Sequence, residues 1–318
     1  MASKVLVTGG AGFIGSHIVE VLLARGHQVA VLDNLSSGRR EQVPGGVPLF
    51  ELDITGSIDA AFESFRPEIV CHQAAQVSVS FSVKHPEVDA TTNILGSIRV
   101  IDACRRFGVR KVVYASSAAA YGPLETLPLR EDMRCRPVSC YGSSKYTVEH
   151  YLATAARDWS LEWAALRYAN VYGPRQDPHG EAGVVAIFSN ALLAGKAPTI
   201  FGGGELTRDY VFVEDIAAAN RVVIEADLAG HADPVFNVST GEPTTTNRIF
   251  ELLREAYGVD VEAIAGGWRP GDVAHSLLEN AKLRAETEWA PEVGLERGLA
   301  ATAEFFGGRV SGVRTRAR

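Results

Sequence analysis

The sequence predicts an α/β fold: a doubly wound parallel sheet followed by a smaller mixed α/β unit. Three observations carry this reading. Short apolar runs alternate with segments of helical periodicity through the first half of the chain. A glycine-rich turn lies between the first run and the first helical segment, and an acidic residue closes the second run.

Taken in order, Lys4–Thr8 (KVLVT) reads as a buried strand. Over Phe13–Arg25, Ile14, Ile18, Val21 and Leu22 share one helix face, and Gly26 ends the helix. Gln28–Leu32 is the second apolar run, closed by Asp33. Val47–Leu52, Ile69–His72 and Lys111–Ser116 repeat the strand pattern, with helical segments near Ser57–Phe65, Asn93–Phe107 and Ser143–Asp158. Continuous apolar strands separated by helices belong to parallel sheets covered on both faces. In the second half a strand at Leu161–Leu166 leads into a loop punctuated by Gly173, Pro174, Pro178, Gly180 and Gly183. Val184–Leu193, Glu214–Ala226 and Thr246–Tyr257 read as helices, and Gly202-Gly203-Gly204 is a break. From Gly307 onward there are arginines and no core pattern, which predicts a flexible basic tail over 308–318.

Composition narrows the function classes. The 318 residues are 46% hydrophobic and 22% charged, ordinary for a globular chain of two domains at roughly 150 residues each. A net charge of −7, with no basic stripe before the tail, argues against nucleic acid as a partner. No apolar run approaches the ~20 residues that span a bilayer, and no signal-peptide pattern precedes the first strand, so no membrane partner is expected. Cys71, Cys104, Cys135 and Cys140 lack CxxC spacing, which predicts free thiols and a cytoplasmic location. Cys140 has no nearby histidine and reads as a packing residue rather than a nucleophile. The histidines show no HxxxH or HExxH pairing, so no metal site is predicted.

The turn Thr8-Gly9-Gly10-Ala11-Gly12-Phe13-Ile14-Gly15 has GxxGxxG spacing. Gly9 permits a tight turn, Gly12 lets a pyrophosphate approach the backbone, and Gly15 lets the helix pack on the sheet. Amides at the start of that helix then face the phosphates. A carboxylate at Asp33 accepts hydrogen bonds from ribose hydroxyls and repels a 2′-phosphate, which favours NAD over NADP. Arg39 and Arg40 could bind such a phosphate but lie past Asp33.

Tyr141-Gly142-Ser143-Ser144-Lys145 is a YxxxK pair on one helix face. An ammonium beside a phenol stabilises the phenolate, and an oxidised nicotinamide would add to the effect. Such a phenolate can take a proton from an alcohol while hydride leaves for NAD. On its own, YxxxK is as compatible with a surface lysine beside a half-buried tyrosine. Ser116 and Ser117, however, run off the end of the preceding strand, where open α/β sheets bind ligands.

Together these motifs resemble the nucleotide-sugar 4-epimerases of the extended short-chain dehydrogenase/reductase family, above all those acting on UDP-glucose and UDP-galactose. The resemblance runs from Val5 to about Phe306. It rests on TGGAGFIG at 8–15, LDNLSSG at 32–38, SSAAAYG at 116–122, YGSSK at 141–145, LRYANVYGPRQDP at 166–178, TRDYVFVEDIA at 207–217 and RPGD at 269–272. It implies a Rossmann-type NAD domain over 1–168 plus about 211–238, and a UDP-sugar domain over 169–210 plus 239–307. Carried over by position, Gly9, Gly12, Phe13, Ile14 and Gly15 would hold the NAD diphosphate. Asp33, Asn34, Ser37 and Gly38 would hold the adenosine ribose, and Asp53 and Ile54 would flank the adenine. Ala74, Ala75, Asn93 and Ser116 would line the cofactor channel, with Tyr168 beside the nicotinamide. Tyr141 would be the acid/base and Lys145 its partner, both touching cofactor. Ser117 would be the catalytic hydroxyl, with Ser116 the weaker choice. Asn170 would hold the sugar diphosphate, Val184, Val185 and Phe201 the uridine, and Arg208, Arg269 and Asp272 the diphosphate and uridine ribose. Arg suits phosphate oxygens in an acidic protein. A salt bridge from Arg208 to Asp209 or Glu205 is the competing reading.

The implied reaction oxidises carbon 4 of the sugar, turns the 4-keto sugar over, and returns hydride to the other face. Related dehydratases carry an Asp-Glu pair where this chain has Ala118 and Ala119, and related decarboxylases a Glu, so neither reaction is favoured. In Arg175-Gln176-Asp177-Pro178-His179, Asp177 would repel a uronate carboxylate, whereas Arg175 or His179 could attract one. Neutral UDP-glucose/galactose therefore leads, with UDP-glucuronate next. Ser276 stands where members that reject N-acetyl sugars carry a bulky Tyr, which leaves room for UDP-GlcNAc. The helices near 93–107 and 143–158 resemble a family dimer interface, so a homodimer is expected. Two other readings are a non-catalytic NAD-binding protein and a dehydrogenase that releases NADH.

Overall fold

Seven parallel strands form the main sheet, and helices on both faces bury all of them except the edge strand Leu49–Glu51. The computed structural model describes residues 2–178, 183–267 and 273–315, with side chains described as far as residue 308. The strands are β1 (Lys4–Thr8), β2 (Gln28–Asp33), β3 (Leu49–Glu51), β4 (Ile69–His72), β5 (Lys111–Ser117), β6 (Glu162–Tyr168) and, much later in the chain, β10 (Val235–Val238). Their spatial order is β3-β2-β1-β4-β5-β6-β10. The order reverses between β1 and β4, and the crevice beyond the carboxyl ends of the strands at such a point is where open α/β sheets bind ligands.

The helices between these strands are α1 (Phe13–Ala24), α2 (Asp59–Phe65), α3 (Val79–Lys84), α4 (Pro86–Asp89), α5 (Ser97–Phe107), α6 (Cys140–Trp159) and α8 (Val213–Glu225). Successive strand residues point to opposite faces. Val5, Val7, Val31 and Val113 accordingly pack with Ile18 and Leu22 of α1 and Ile216 and Val223 of α8. Leu6, Leu32, Val70 and Val112 pack with Phe62 of α2, Val100 of α5 and Val148 of α6. A π-helical turn, Ala90–Gly96, joins α4 to α5, where the sequence predicts regular helix from Asn93. Helix α6 begins at Cys140, before the predicted Ser143, because Ser139 Oγ accepts from Gly142 N at 3.0 Å and caps it.

The smaller sheet is mixed, with β9 (Thr207–Phe212) parallel to β7 (Asn170–Tyr172) and antiparallel to β11 (Pro243–Thr245). Its core joins Tyr172 and Phe212 to Val185 and Phe188 of α7 (Val184–Leu193), Ile249 and Leu253 of α9 (Thr246–Tyr257), and Leu299 of α11 (Leu295–Thr315). A two-stranded pair, β8 (Thr199–Ile200) with β12 (Ile264–Ala265), and α10 (Ala281–Glu286) complete it. Helix α11 extends past Phe306, where the apolar pattern of the sequence stops. Among the described residues no helix is long and apolar enough to cross a membrane.

Candidate active site

The glycine turn leaves β1 at the point of strand-order reversal. Gly9 has φ +67°, and a Cβ there would lie 2.7 Å from the backbone N of Ala74, so the turn and the loop after β4 touch through their main chains. A Cβ on Gly15 would lie 2.1 Å from Gly9 O, which makes the third glycine a packing requirement. At Gly12 a Cβ would meet only Gly9 O, at 3.2 Å, and no side chain caps α1. The first amides of α1 are thus left for an anion, and a dinucleotide diphosphate fits them. Phe13 and Ile14 are half-buried beside that opening.

Asp33, at the end of β2, accepts from Ala11 N and Leu35 N, each at 2.9 Å. It therefore holds the glycine turn as well as facing the position expected for the ribose. A Cβ on Gly38 would lie 2.8 Å from Asp33 Oδ1, so glycine is needed for the next loop to close over the carboxylate. Asn34 donates to Asp53 at 2.8 Å, and Ser37 is exposed nearby. Ile54 is buried and would meet a Cβ on Gly96 at 2.8 Å. Across the crevice, Ala74 N donates to Thr8 Oγ1 at 3.2 Å, and Thr8 Oγ1 meets His72 Nδ1 at 2.7 Å. His72 Nε2 lies 2.9 Å from Ser97 Oγ, which in turn donates to Asn93 O. Burial pushes His72 down to about 3, so the ring is neutral. Ala75 follows, half-buried.

Ser117, Tyr141 and Lys145 come together at the carboxyl end of β5. The Ser117 hydroxyl faces the Tyr141 phenol closely enough to act on its titration, and it accepts from Ala119 N at 3.1 Å. Lys145 Nζ lies 5.8 Å from the Tyr141 ring centre and 5.1 Å from that of Tyr114, and donates to Ala115 O at 2.9 Å. Burial lowers Lys145 to about 8, against the field of Asp89. Burial raises Tyr141, opposed by the Ser117 hydroxyl, and the charge of Asp89 raises it further, so in the protein alone Tyr141 is a neutral phenol.

Ser116 points elsewhere. Its hydroxyl donates to Glu149 Oε1, and Glu149 is bidentate to Arg167, with Nε–Oε1 at 3.0 Å and Nη2–Oε2 at 2.6 Å. Tyr168, at the end of β6, is tied through its hydroxyl to Gln73 and Asn220.

On the smaller-sheet side, Asn170 is exposed at the start of β7, while Val184 and Phe201 are partly buried. Val185 is buried. Arg208 donates to Thr207 O at 2.8 Å and Ala274 O at 3.3 Å. The competing salt bridges are not made. Asp209 accepts from Thr240 and Gly241, and Glu205 accepts from Asn247. Ser276 runs beside Arg208, donating to Thr207 O and accepting from Asp209 N, both at 3.1 Å. Arg175, with φ +72°, is bound to Glu20 at 2.5 Å and to Ser16 at 3.1 Å on α1. Its charge is therefore paired within the protein. Arg269, Asp272 and His179 lie outside the described residues.

Among the residues around Asn93, Gln76 and Asp89 were not singled out from the sequence, and neither was Glu149. Asn93 Oδ1 accepts from Gln76 N, and Nδ2 donates to Gln76 O, Asp89 Oδ1 and Ser144 Oγ. Asp89, four residues before Asn93, and Glu149, four after Lys145, are at same-face helical spacing, which is the signal that could have found them.

With this geometry in view, comparison with known proteins defines the class. The model of the NAD dependent epimerase/dehydratase family matches residues 5–239, and the chain belongs to that family. It is 44% identical over 314 residues to a UDP-glucose 4-epimerase of Mycolicibacterium smegmatis, covering 95% of this chain and 98% of that one. Two solved structures are similar. The Thermus thermophilus UDP-glucose 4-epimerase in complex with NAD has TM-score 0.90 and 46% identity, covering 96% of this chain and 99% of that one. The Thermotoga maritima UDP-glucose 4-epimerase with UDP-glucose has TM-score 0.93 and 45% identity, covering 96% and 99%.

Proposed function

We propose that this chain interconverts UDP-glucose and UDP-galactose through a transient 4-keto sugar, with NAD held throughout the cycle. The carrying observation is the Ser117–Tyr141–Lys145 constellation beside a short turn, Ala118–Ala120, that offers no carboxylate. Oxidation at carbon 4 needs only a base, whereas elimination of water also needs an acid. NAD, when bound, supplies a hydride acceptor that later gives the hydride back.

Tyr141 takes the proton from the 4-hydroxyl, directly or through Ser117, and returns it when the keto sugar is reduced. Lys145 stabilises the phenolate from beneath the ring. The glycine turn, Asp33, Asn34, Ser37, Gly38, Asp53, Ala74, Ala75 and Tyr168 would hold NAD. Asn170, Val184, Phe201 and Arg208, with Arg269 and Asp272, would hold the UDP-sugar. A neutral sugar is supported by the pairing of Arg175 with Glu20. The Ser116–Glu149 bond supports a role for Ser116 in holding β5 against α6. We further infer a homodimer formed through the segment 93–107 and α6, supported by exposed Leu95 in the turn before α5 and Tyr151 on α6, with exposed Val83 on α3 and Val88 on α4 beside them.

The test is incubation of purified protein, without added NAD, with UDP-glucose, UDP-glucuronate and UDP-GlcNAc separately, followed by chromatography. Conversion of UDP-glucose to UDP-galactose at the highest rate is expected. Stoichiometric NADH release would identify a dehydrogenase instead, and faster turnover of either other substrate would reassign the sugar. Light scattering on the eluted peak checks the dimer.

A further inference from the structure

Asp89 is 1% exposed, on the last residue of α4, yet no cation pairs with it among the described residues. Its partners are neutral amides, Gln76 Nε2 at 2.8 Å and Asn93 Nδ2 at 3.0 Å, both on Oδ1. Lys145 is equally buried, at 3% exposure, and its ammonium donates to a single carbonyl, Ala115 O. A lone buried charge is strongly disfavoured, so each of these groups needs compensation from the other. The path between them is short. Asn93 Nδ2 bonds both Asp89 Oδ1 and Ser144 Oγ, and Ser144, which donates to Tyr141 O, precedes Lys145 in the chain.

We infer that Asp89 is a positioning residue for the reaction: the counter-charge that keeps Lys145 an ammonium, and the anchor that fixes Asn93 and Gln76 against the catalytic helix. This rests on the reading of Tyr141 and Lys145 as the reacting pair. The other groups around Lys145 do not supply the charge. From β5 come the Tyr114 ring and the Ala115 carbonyl, and from α6 the Tyr141 ring. His72 on β4 is neutral. Glu149, one turn further along α6, is neutralised by Arg167. The field of Asp89 is the one that raises Lys145, against the burial that lowers it.

Asp89→Asn removes the charge and keeps one carbonyl oxygen, which can accept from both amides as Oδ1 does. Without the anion, the ammonium is lost at lower pH. The alkaline limb of kcat should therefore move down by about one pH unit, with kcat about tenfold lower above it, and because the field of Asp89 also raises Tyr141 the acid limb should move down in the same variant. Asp89→Glu, which keeps the charge, should restore the limb position even where kcat falls. Bound NAD, measured after denaturing each purified holoenzyme, should stay stoichiometric. An unmoved limb in Asp89→Asn overturns the inference, as does a loss of equal size at every pH. Lys145→Met separates the two readings. It should be inactive throughout, and if it turns over like wild type, the assignment of the reacting pair itself fails.

Discussion

Replacing Glu149 by leucine isolates the most consequential buried ion pair near the site. Glu149 and Arg167 side chains are each 5% exposed, and their two short bonds face the same carboxylate that receives Ser116. Arg167 Nη1 is already buried without a partner, while its guanidinium stacks 4.7 Å from the Tyr121 ring centre. Removing the acid strands this cation among aromatic rings, and such a change costs about 3–5 kcal/mol. With 318 residues and an unfolding entropy of about 2.1 cal/mol/K per residue, the expected fall in Tm is about 5–7 °C. The double variant Glu149→Leu/Arg167→Met removes both charges and should recover most of the loss, because an apolar pair of similar volume needs no solvation. Urea unfolding of the wild type, both single variants and the double variant gives the coupling directly. A single-variant loss under about 1 kcal/mol, the scale of a surface pair, would refute the argument. So would a double variant as unstable as the summed singles.

Tyr141→Phe should keep NAD bound and lower kcat by about 10²–10⁴ in the chromatographic assay; turnover within tenfold of wild type would remove Tyr141 from the chemistry. Ser117→Ala should lower kcat with little change in Tm, whereas Ser116→Ala should leave kcat close to wild type and cost about 1 kcal/mol in urea unfolding. The opposite pattern would exchange their roles. Gly15→Ala places a methyl 2.1 Å from Gly9 O and should yield protein purified without NAD, so a full complement of cofactor would show that the turn relaxes. His72, held at about 3 against an ordinary 6.5, must stay neutral in the fold. Below pH 6.5 the unfolded chain binds a proton that the folded chain refuses, so stability falls as pH drops from there toward 3, by up to about 1.4 kcal/mol per unit. His72→Gln should flatten that slope, and an unchanged slope would place its origin elsewhere.

What could be read from the sequence follows from how each element is buried. Strands β1, β2, β4 and β5 are covered on both faces and so appear as unbroken apolar runs. Val184–Leu193 and Thr246–Tyr257 match α7 and α9 because each turns a single apolar face to the smaller sheet. The strand β10 was not legible: four residues in a loop-like stretch pair with β6, Phe236 beside Leu166, only through long-range contact. Charged side chains misled in the same way. Glu149 sits in a helical pattern that reads as a solvated face until Arg167, on a strand, buries it. Of the site, the chemistry-bearing Ser117, Tyr141 and Lys145 were visible as motifs. Their supports, Asp89, Gln76, Ser144 and Asn220, were not, because a buried polar residue is defined by a partner that only the fold supplies.

The late arrival of α8 and β10 has a consequence for the growing chain. Residues 1–168 contain the glycine turn, the reacting pair and six of the seven strands. They do not contain α8, whose Ile216, Ala219 and Val223 cover the sheet face shared with α1, nor Asn220, which holds the Tyr168 hydroxyl. During synthesis that apolar face stays uncovered until residue 225 has emerged, and the sheet edge at β6 stays unpaired until residue 238. A nascent chain from which only residues 1–168 have emerged would therefore display Ser117, Tyr141 and Lys145 on a half-dressed sheet, a form that invites chaperones and aggregation before it can retain a dinucleotide.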